Sequence, residues 1–315
     1  MPLSIDVVIP VGGRNDLTAS CLTHLAAQTR AHGVIVVHSG ADRQEAERLR
    51  QDWPGVQVLH STTPLGFAAA CNHGVAAGSG DVVVLLNNDV DCRRDFLERL
   101  LEPLEADSTL GSAASLLLRP GERTIDSAGL TADRTLAGFP RLVGLPVEQA
   151  ERTRPKLVGP AGAAGAYRRA AFERVDGLDE RIFAYVEDLE LALRLRAAGW
   201  TTAAALRAVG VHLGSATHGR RSPSQRGHFG FGRGYVLRRY GVLRSRAAAR
   251  TLVTEAVVLV GELILARDVA ALRGRIEGWK AARGLPRIAV SADALDRTIG
   301  FGESLALRRG VYAAR

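Results

Sequence analysis

VVVLLNNDVD, residues 82–91, sets five consecutive valines and leucines directly before a cluster of two amides and two acids. A strand with one wet face alternates apolar and polar residues. Val82, Val83, Val84, Leu85 and Leu86 do not, so the strand is expected to be buried on both faces, as in a parallel sheet covered by helices. Its carboxyl end then delivers Asn87, Asn88, Asp89 and Asp91 to the edge where open α/β sheets bind ligands.

The flanking sequence supports that sheet. Apolar strands at 5–11, 33–40 and 56–61 alternate with helical stretches at 17–28, 41–53 and 65–78, and 95–106 follows the fourth strand (81–87) as a helix. This βα alternation implies a doubly wound, mostly parallel α/β sheet with right-handed crossovers and helices on both faces. Residues 112–120 read as a further strand. The Gly-, Pro-, Arg- and Thr-rich stretch 121–157 reads as a long loop with short strands, the kind of segment that shapes a binding site. A helix is expected over 189–198, closed by Gly199, then a strand over 201–211, and beyond residue 225 the pattern is helical.

A chain of 315 residues makes one large or two modest domains. Cys21, Cys71 and Cys92 are odd in number and widely spaced, which argues against a disulfide framework or zinc site and for a reducing compartment. The first residues are strand-like rather than a secretion signal, and no run approaches the ~18 apolar residues of a membrane span. Charge is uneven. Residues 1–215 hold 22 basic and 26 acidic side chains, a net of −4, whereas 216–315 hold 19 and 7, a net of +12. The basic segment fits a polyanionic neighbour (an anionic membrane, a phosphorylated substrate or nucleic acid) or a solvated helical surface in an arginine-rich chain.

Asp89 and Asp91 lie two apart beyond a buried strand, where a turn can converge oxygens on a hard cation such as Mg²⁺ or Mn²⁺. Capping of the next helix by Asp91 or Asp95 accounts for one acid but not the cluster. Asp89 is therefore read as the metal ligand, and Asp91 as a cap or water-bound. Glu187 and Asp188 fall at the amino end of the helix that carries Leu189, Ala192, Leu193 and Arg196 on one face. A carboxylate there is expected to have a lowered pKa and to accept a proton, the alternative being a plain helix cap. His212 follows a small apolar strand and alone would be structural. The turn PVGGR (10–14) lets backbone approach a planar ligand closely. GFGRG (230–234) opens no βα unit and is set aside as a phosphate loop.

In order, VVIPVGGR, TPLGFAAACNHGVAAGSGDVVVLLNNDV, GAAGAYRRAAFERVDGLDERIFAYVEDLELALRLRAAGW and VHLGSAT resemble the family 2 glycosyltransferases of GT-A fold, in their rhamnosyltransferase-like branch. The resemblance covers most of 5–217, and VEDLELALR is its most specific block. It implies a catalytic domain over 1–217, with a nucleotide-sugar half to about 118 and an acceptor half over 119–217, followed by a helical region over 218–315. It places Asp89 on the second acid of the family's metal motif, with Asn87 for the first and Asn88 between them. His212 stands at a further metal-ligand position. Asp188 takes the place of the general base, with Glu187 as its partner. Pro10, Val11 and Arg14 line the nucleotide-base site, and Gly162 and Ala163 lie beside sugar and acceptor. One turn departs from the family: His38 and Ser39 stand where it has Asp and Asn, with Asp42 as a displaced acid.

The resemblance implies an inverting, metal-assisted transfer from a UDP-, dTDP- or GDP-linked sugar to a hydroxyl, using Mn²⁺ or Mg²⁺. The stretch 251–279 reads as one long apolar helix interrupted by Glu255, Glu262, Arg267 and Asp268. Those charges oppose a span and fit packing on the catalytic domain, a homodimer, or an amphipathic helix on an anionic membrane. The expected setting is cytoplasmic, peripheral on the inner leaflet, with a lipid-linked or cell-envelope glycan as acceptor. The rival is a soluble enzyme glycosylating a small natural product. A sugar-nucleotide pyrophosphorylase lacks its glycine-rich signature here. A non-catalytic basic adapter would leave NND, ED and His212 in family order unexplained, and nucleic acid is not an expected partner.

Overall fold

A computed structural model describes residues 2–12, 15–40, 42–214 and 222–308. The first half is β1 (Ile5–Val11), α1 (Asn15–Ala26), β2 (Gly33–Ser39), α2 (Arg43–Asp52), β3 (Gln57–Ser61), α3 (Phe67–Ala77), β4 (Val82–Leu86), β5 (Val90–Cys92) and α4 (Phe96–Ala106). Then come β6 (Leu110–Leu118), β7 (Ile125–Ser127), β8 (Leu130–Ala132), β9 (Gly138–Pro140), β10 (Ala164–Arg168), α5 (Arg169–Arg174), α6 (Glu187–Ala197) and β11 (Thr201–His212). Four helices follow: α7 (Pro223–Arg239), α8 (Ala248–Ala266), α9 (Ala270–Ala281) and α10 (Phe301–Arg308).

The main sheet runs β3-β2-β1-β4-β10-β6-β11-β5, with β7 on β6. Strands β1 to β4 are mutually parallel where they pair. The expected alternation gave no place to β10, which enters antiparallel between β4 and β6. That insertion matters for the site. Because β10 runs backwards, its first residue, Ala164, lies opposite Leu86 at the carboxyl end of β4. Strand β11 is parallel to β6, so His212 also ends at this rim, where it pairs with Val90 of β5.

The uniform apolarity of β4 has a direct cause. Val82, Val84 and Leu86 pack with α1 and α4 in one core, around Leu22, Leu25, Phe96 and Leu100. Val83 and Leu85 face the opposite core with Cys71, Val75, Phe172 and Leu195. Helix α6 is likewise buried on two sides: Leu191 and Leu195 meet the sheet, while Leu189, Ala192 and Leu193 meet Val236, Leu237 and Tyr240 near the end of α7. Its Glu190, fully buried, is bonded to Arg194 one turn on at 2.7 Å.

The long helix expected over 251–279 is two helices. The break falls at Arg267, in the left-handed region at φ 52°, followed by Asp268, whose carboxylate accepts from the Ala270 N–H at 2.8 Å. Two of the charged residues that interrupt the apolar run, Arg267 and Asp268, also form the turn, while Glu255 and Glu262 stay within α8. Helices α7 and α9 pack backbone to backbone along a seam of glycines. A Cβ on Gly234 would lie 2.7 Å from the Arg275 carbonyl carbon, and one on Gly278 equally close to that of Phe231. No helix among the described residues is long and apolar enough to cross a membrane.

Candidate active site

The rim at the carboxyl ends of β1, β2, β4 and β11 gathers most of the predicted residues. The Asn87 N–H donates to the Ala163 carbonyl at 2.8 Å, and the neighbouring Gly162 N–H donates to Asp188 Oδ2 at 2.9 Å. One short segment entering β10 thus touches both the end of β4 and the start of α6. A Cβ on Gly162 would sit 3.3 Å from Asp188 Oδ2 and 3.5 Å from Glu187 Oε1. Both carboxylates therefore lie against Gly162.

Glu187 and Asp188 open α6 after an unusual approach. Tyr185 and Val186 both take positive φ, 67° and 75°. For a β-branched residue such as Val186 this is rare, and each such residue costs about 1–3 kcal/mol. The surroundings hold the strain in place. The Phe67 N–H bonds to the Phe183 carbonyl at 2.7 Å, and a Cβ on Gly66 would come within 2.8 Å of the Phe183 ring. On the other side a Cβ on Gly232 would meet Val186 Cβ at 2.6 Å. Asn72 pins the preceding turn through Leu178, accepting its N–H at 2.9 Å and donating to its carbonyl at 2.8 Å. The blocks TPLGFAAACNHG and GLDERIFAYVEDLEL are thus packed on each other.

The expected lowering of the acid pKa values is corrected here. Asp188 accepts N–H bonds from Gly162 and from Leu189, the latter at 2.7 Å, and these favour its ionised form. Burial outweighs them, and the Asp188 pKa is raised. Glu187 is pushed well above the usual glutamate range, first by burial and then by the charge of Asp188. It is 6% exposed, and its Oε2 finds no hydrogen-bond partner among the described residues. Burial thus raises the pKa of both acids, and the charge of Asp188 adds to the rise at Glu187.

Across the rim, Asp89 is 7% exposed and its Oδ1 stands 3.4 Å from His212 Nε2. His212 Nδ1 bonds to Asp126 Oδ2 at 2.7 Å. Burial alone would lower the His212 pKa, but Asp126 and Asp89 carry it up to about 9. Asp126, on the short strand β7, was not legible in the sequence: three residues offer no periodicity to place it at the rim. Among the described residues no three His, Cys, Asp or Glu side chains form a complete metal cage. The Asp89 carboxylate and the His212 imidazole, once the latter gives up its proton, could hold a divalent cation, and Asp126 orients the imidazole from behind.

The remaining predicted positions divide by what they touch. Asn88 donates to Thr18 on α1 at 2.9 Å, which anchors the turn. Asp91 accepts from Ser20 Oγ at 2.9 Å and lies 3.3 Å from His24, so it caps nothing. Gln28 takes the capping role instead, accepting the Leu97 N–H at 3.0 Å. His38 is buried, with His60 and Glu45 each 3.4 Å away, so its ring is engaged between β2, β3 and α2. Asp42 caps α2 through the Gln44 and Glu45 N–H groups, which accounts for it without a ligand. Val11 packs in the core, leaving its backbone to face the rim beside Pro10; Ser39 ends β2 at the same edge. Arg14 lies outside the described residues, as do Ser215, Ala216 and Thr217 of VHLGSAT.

Residues 6–176 match the family model described as Glycosyl transferase family 2. The chain belongs to that family. It is 30% identical over 207 residues to the O-antigen biosynthesis protein RfbC of Myxococcus xanthus, covering 62% of this chain and 16% of the relative. It is 28% identical over 196 residues to the N-acetylglucosaminyl-diphospho-decaprenol L-rhamnosyltransferase of Mycobacterium tuberculosis, covering 55% and 64%. The chain therefore spans less than two thirds of the length of these curated relatives. A mannosyltransferase from Pyrobaculum calidifontis, solved with GDP-Man and Mn²⁺, superposes with a TM-score of 0.54 at 19% identity over 98% of this chain and 81% of its own. GalNAc-T7, solved with UDP, GalNAc and Mn²⁺, gives 0.60 at 15% over 87% and 54%. The GT-A-like α/β fold with added C-terminal helices is thus established.

Proposed function

We propose that this chain transfers a sugar, with inversion, from a nucleotide-diphosphate sugar to an acceptor hydroxyl. Asp188 is the general base. Asp89 and His212 hold a divalent cation, Mn²⁺ or Mg²⁺, which when bound supplies Lewis-acid stabilisation of the departing diphosphate. The observation that carries the reading is the 162–163 segment, bonded to Asn87 on one side and to Asp188 on the other. It spans the place where a sugar must lie between leaving group and base.

Asp188 takes the proton of the attacking hydroxyl. Its two backbone N–H donors fix the carboxylate and keep it the more acidic of the pair. Glu187 keeps its proton and so leaves Asp188 as the charged partner. On this reading, 1–118 serves the nucleotide-sugar, 119–217 the acceptor, and 218–315 supports both. The nucleotide lies along Pro10, Val11, Arg14, Ser39 and the covered His38. Asn87 and Asn88 shape the metal turn.

The names of two relatives, an O-antigen protein and a decaprenol-linked rhamnosyltransferase, support a lipid-linked or cell-envelope acceptor and a cytoplasmic or inner-leaflet setting. A second reading, a small-molecule acceptor, has one support: 32% identity over 201 residues to the pre-mycofactocin glycosyltransferase of Mycobacterium tuberculosis. The test is a thermal-shift screen of UDP-, dTDP- and GDP-sugars with Mn²⁺, followed by transfer assays with the stabilising donor. A cognate donor raises the melting temperature by mass action. If none does, and no donor is consumed, the assignment fails.

A further inference from the structure

Helix α8 is inside out. Its polar residues Thr251, Thr254 and Glu255 are buried, while Leu252, Val253, Val257, Val260, Ile264 and Leu265 are exposed. Ile264 is 66% and Leu265 86% exposed. A surface helix normally turns its apolar stripe inward. Here the inward face is satisfied by polar contacts. Both threonine hydroxyls donate to carbonyls one turn back, and Glu255 meets Arg233 at 2.8 Å, Arg275 at 2.9 Å and Arg308 at 3.4 Å. The buried ion pairs fix the orientation of the helix, so the apolar face cannot turn inward without breaking them. Beyond the Arg267 turn, α9 continues the outward stripe with Val269, Leu272 and Ile276. An apolar surface of this extent marks an interaction site.

Charge selects the occupant. Between 222 and 308 the exposed charged residues are eight Arg or Lys and two acids, Glu277 and Asp293. Arg267 stands between Leu265 and Val269, and Arg273 and Lys280 share the exposed side of α9 with Ile276. Apolar side chains interleaved with cations match the interface of an anionic bilayer, into which a helix lying in the plane sinks its apolar face. A second copy would bring two basic surfaces together. We infer that the outward face of α8, continued by α9, lies on an anionic membrane surface and attaches the enzyme peripherally.

The test is flotation of the full chain with phosphatidylcholine vesicles, with and without phosphatidylglycerol, at about 0.1 M and about 0.5 M salt. Binding to the anionic vesicles is expected to be at least tenfold stronger than to the neutral ones and to weaken at high salt. Leu263→Asp with Ile264→Asp should reduce it at least tenfold, and Arg267→Glu with Arg273→Glu should remove the lipid preference. All four residues are solvent-exposed or away from the rim, so melting temperature and donor-induced thermal shift should stay at wild-type values, which keeps this outcome separate from that of the catalytic assignment. Failure of the wild type to float with anionic vesicles at low salt overturns the inference, as does undiminished flotation of the aspartate variant. A wild-type dimer by light scattering that the aspartate variant turns to monomer, without vesicle binding, assigns the face to a second copy instead.

Discussion

Two buried acidic sites in this molecule are treated in opposite ways. In the helical region burial would raise the Glu255 pKa, but Arg233, Arg275 and Arg308 overcome it and hold the group down to about 2. At the rim, neither Glu187 nor Asp188 is paired with a cation among the described residues, Asp188 accepts backbone N–H bonds alone, and both pKa values rise. The Asp89–His212–Asp126 chain lies between these extremes, with charges of both signs in contact. Where the fold needs only stability, charge is matched locally. At the proposed site one side is left incomplete, the pattern by which perturbed acids mark candidate functional sites.

The largest expected effect breaks the underpaired side. Asp188→Asn keeps both N–H contacts within reach but cannot take a proton, and transfer should fall about 10²–10⁴-fold, while calorimetry shows nucleotide affinity close to wild type. Lost nucleotide affinity would make Asp188 structural. For the wild type, the acid limb of the rate profile should lie above the ordinary aspartate range, because Asp188 must be ionised and its pKa is raised. A limb below it would show that the N–H donors outweigh burial after all.

Glu255→Ala breaks the matched side by leaving three guanidinium groups facing a void, and should cost about 3–5 kcal/mol in denaturant unfolding. Because folding depresses the Glu255 pKa, its stabilisation is present above 4.5 and is lost as pH falls toward about 2. A variant as stable as wild type at neutral pH would remove the contrast. Asp126→Asn tests the intermediate case. Without the carboxylate that orients His212, Mn²⁺ affinity should weaken about 10–100-fold, with the fold intact by circular dichroism.

The smallest effect is the most specific. Folding raises the Glu187 pKa above 4.5, so the folded chain holds a proton that the unfolded chain has released, and the fold weakens as pH rises through that window. Glu187→Gln presents the same shape without that proton. It should raise the melting temperature at neutral pH by about 2–4 °C and retain transfer to within about tenfold. A lower melting temperature would mean that Glu187 is ionised and paired in the folded protein.

The sequence was most legible where a single force decides. Strands β1 to β4 and helices α1 to α4 fall within two residues of the expected spans, because βα periodicity is a local signal set by burial. Asp89, Asp188 and His212 could be placed at the rim because they stand at or beside the ends of such elements. Strand β10 was missed: AGAYR is short, and only its partners make it a strand. The raised acid pKa values were missed for a related reason. A helix start is visible in sequence, but the packing of Gly162, Gly66 and α7 that removes water from it is not. His38 and Asp42 show the reverse, being polar residues after β2 begins that the fold engages for itself.

The glycine seam between α7 and α9 bears on the rim from a distance. Helix α7 carries His228 and Phe229, whose rings stack on Phe183 and Tyr185 at centroid separations of 5.1 and 4.4 Å, just before the paired acids. Its height over that loop is set by how closely its backbone can approach α9. A single added methyl group at Gly234 or Gly278 would shift α7 and with it the rings stacked on the loop before Glu187 and Asp188, so the setting of that loop is tunable from a seam on the far side of the helix.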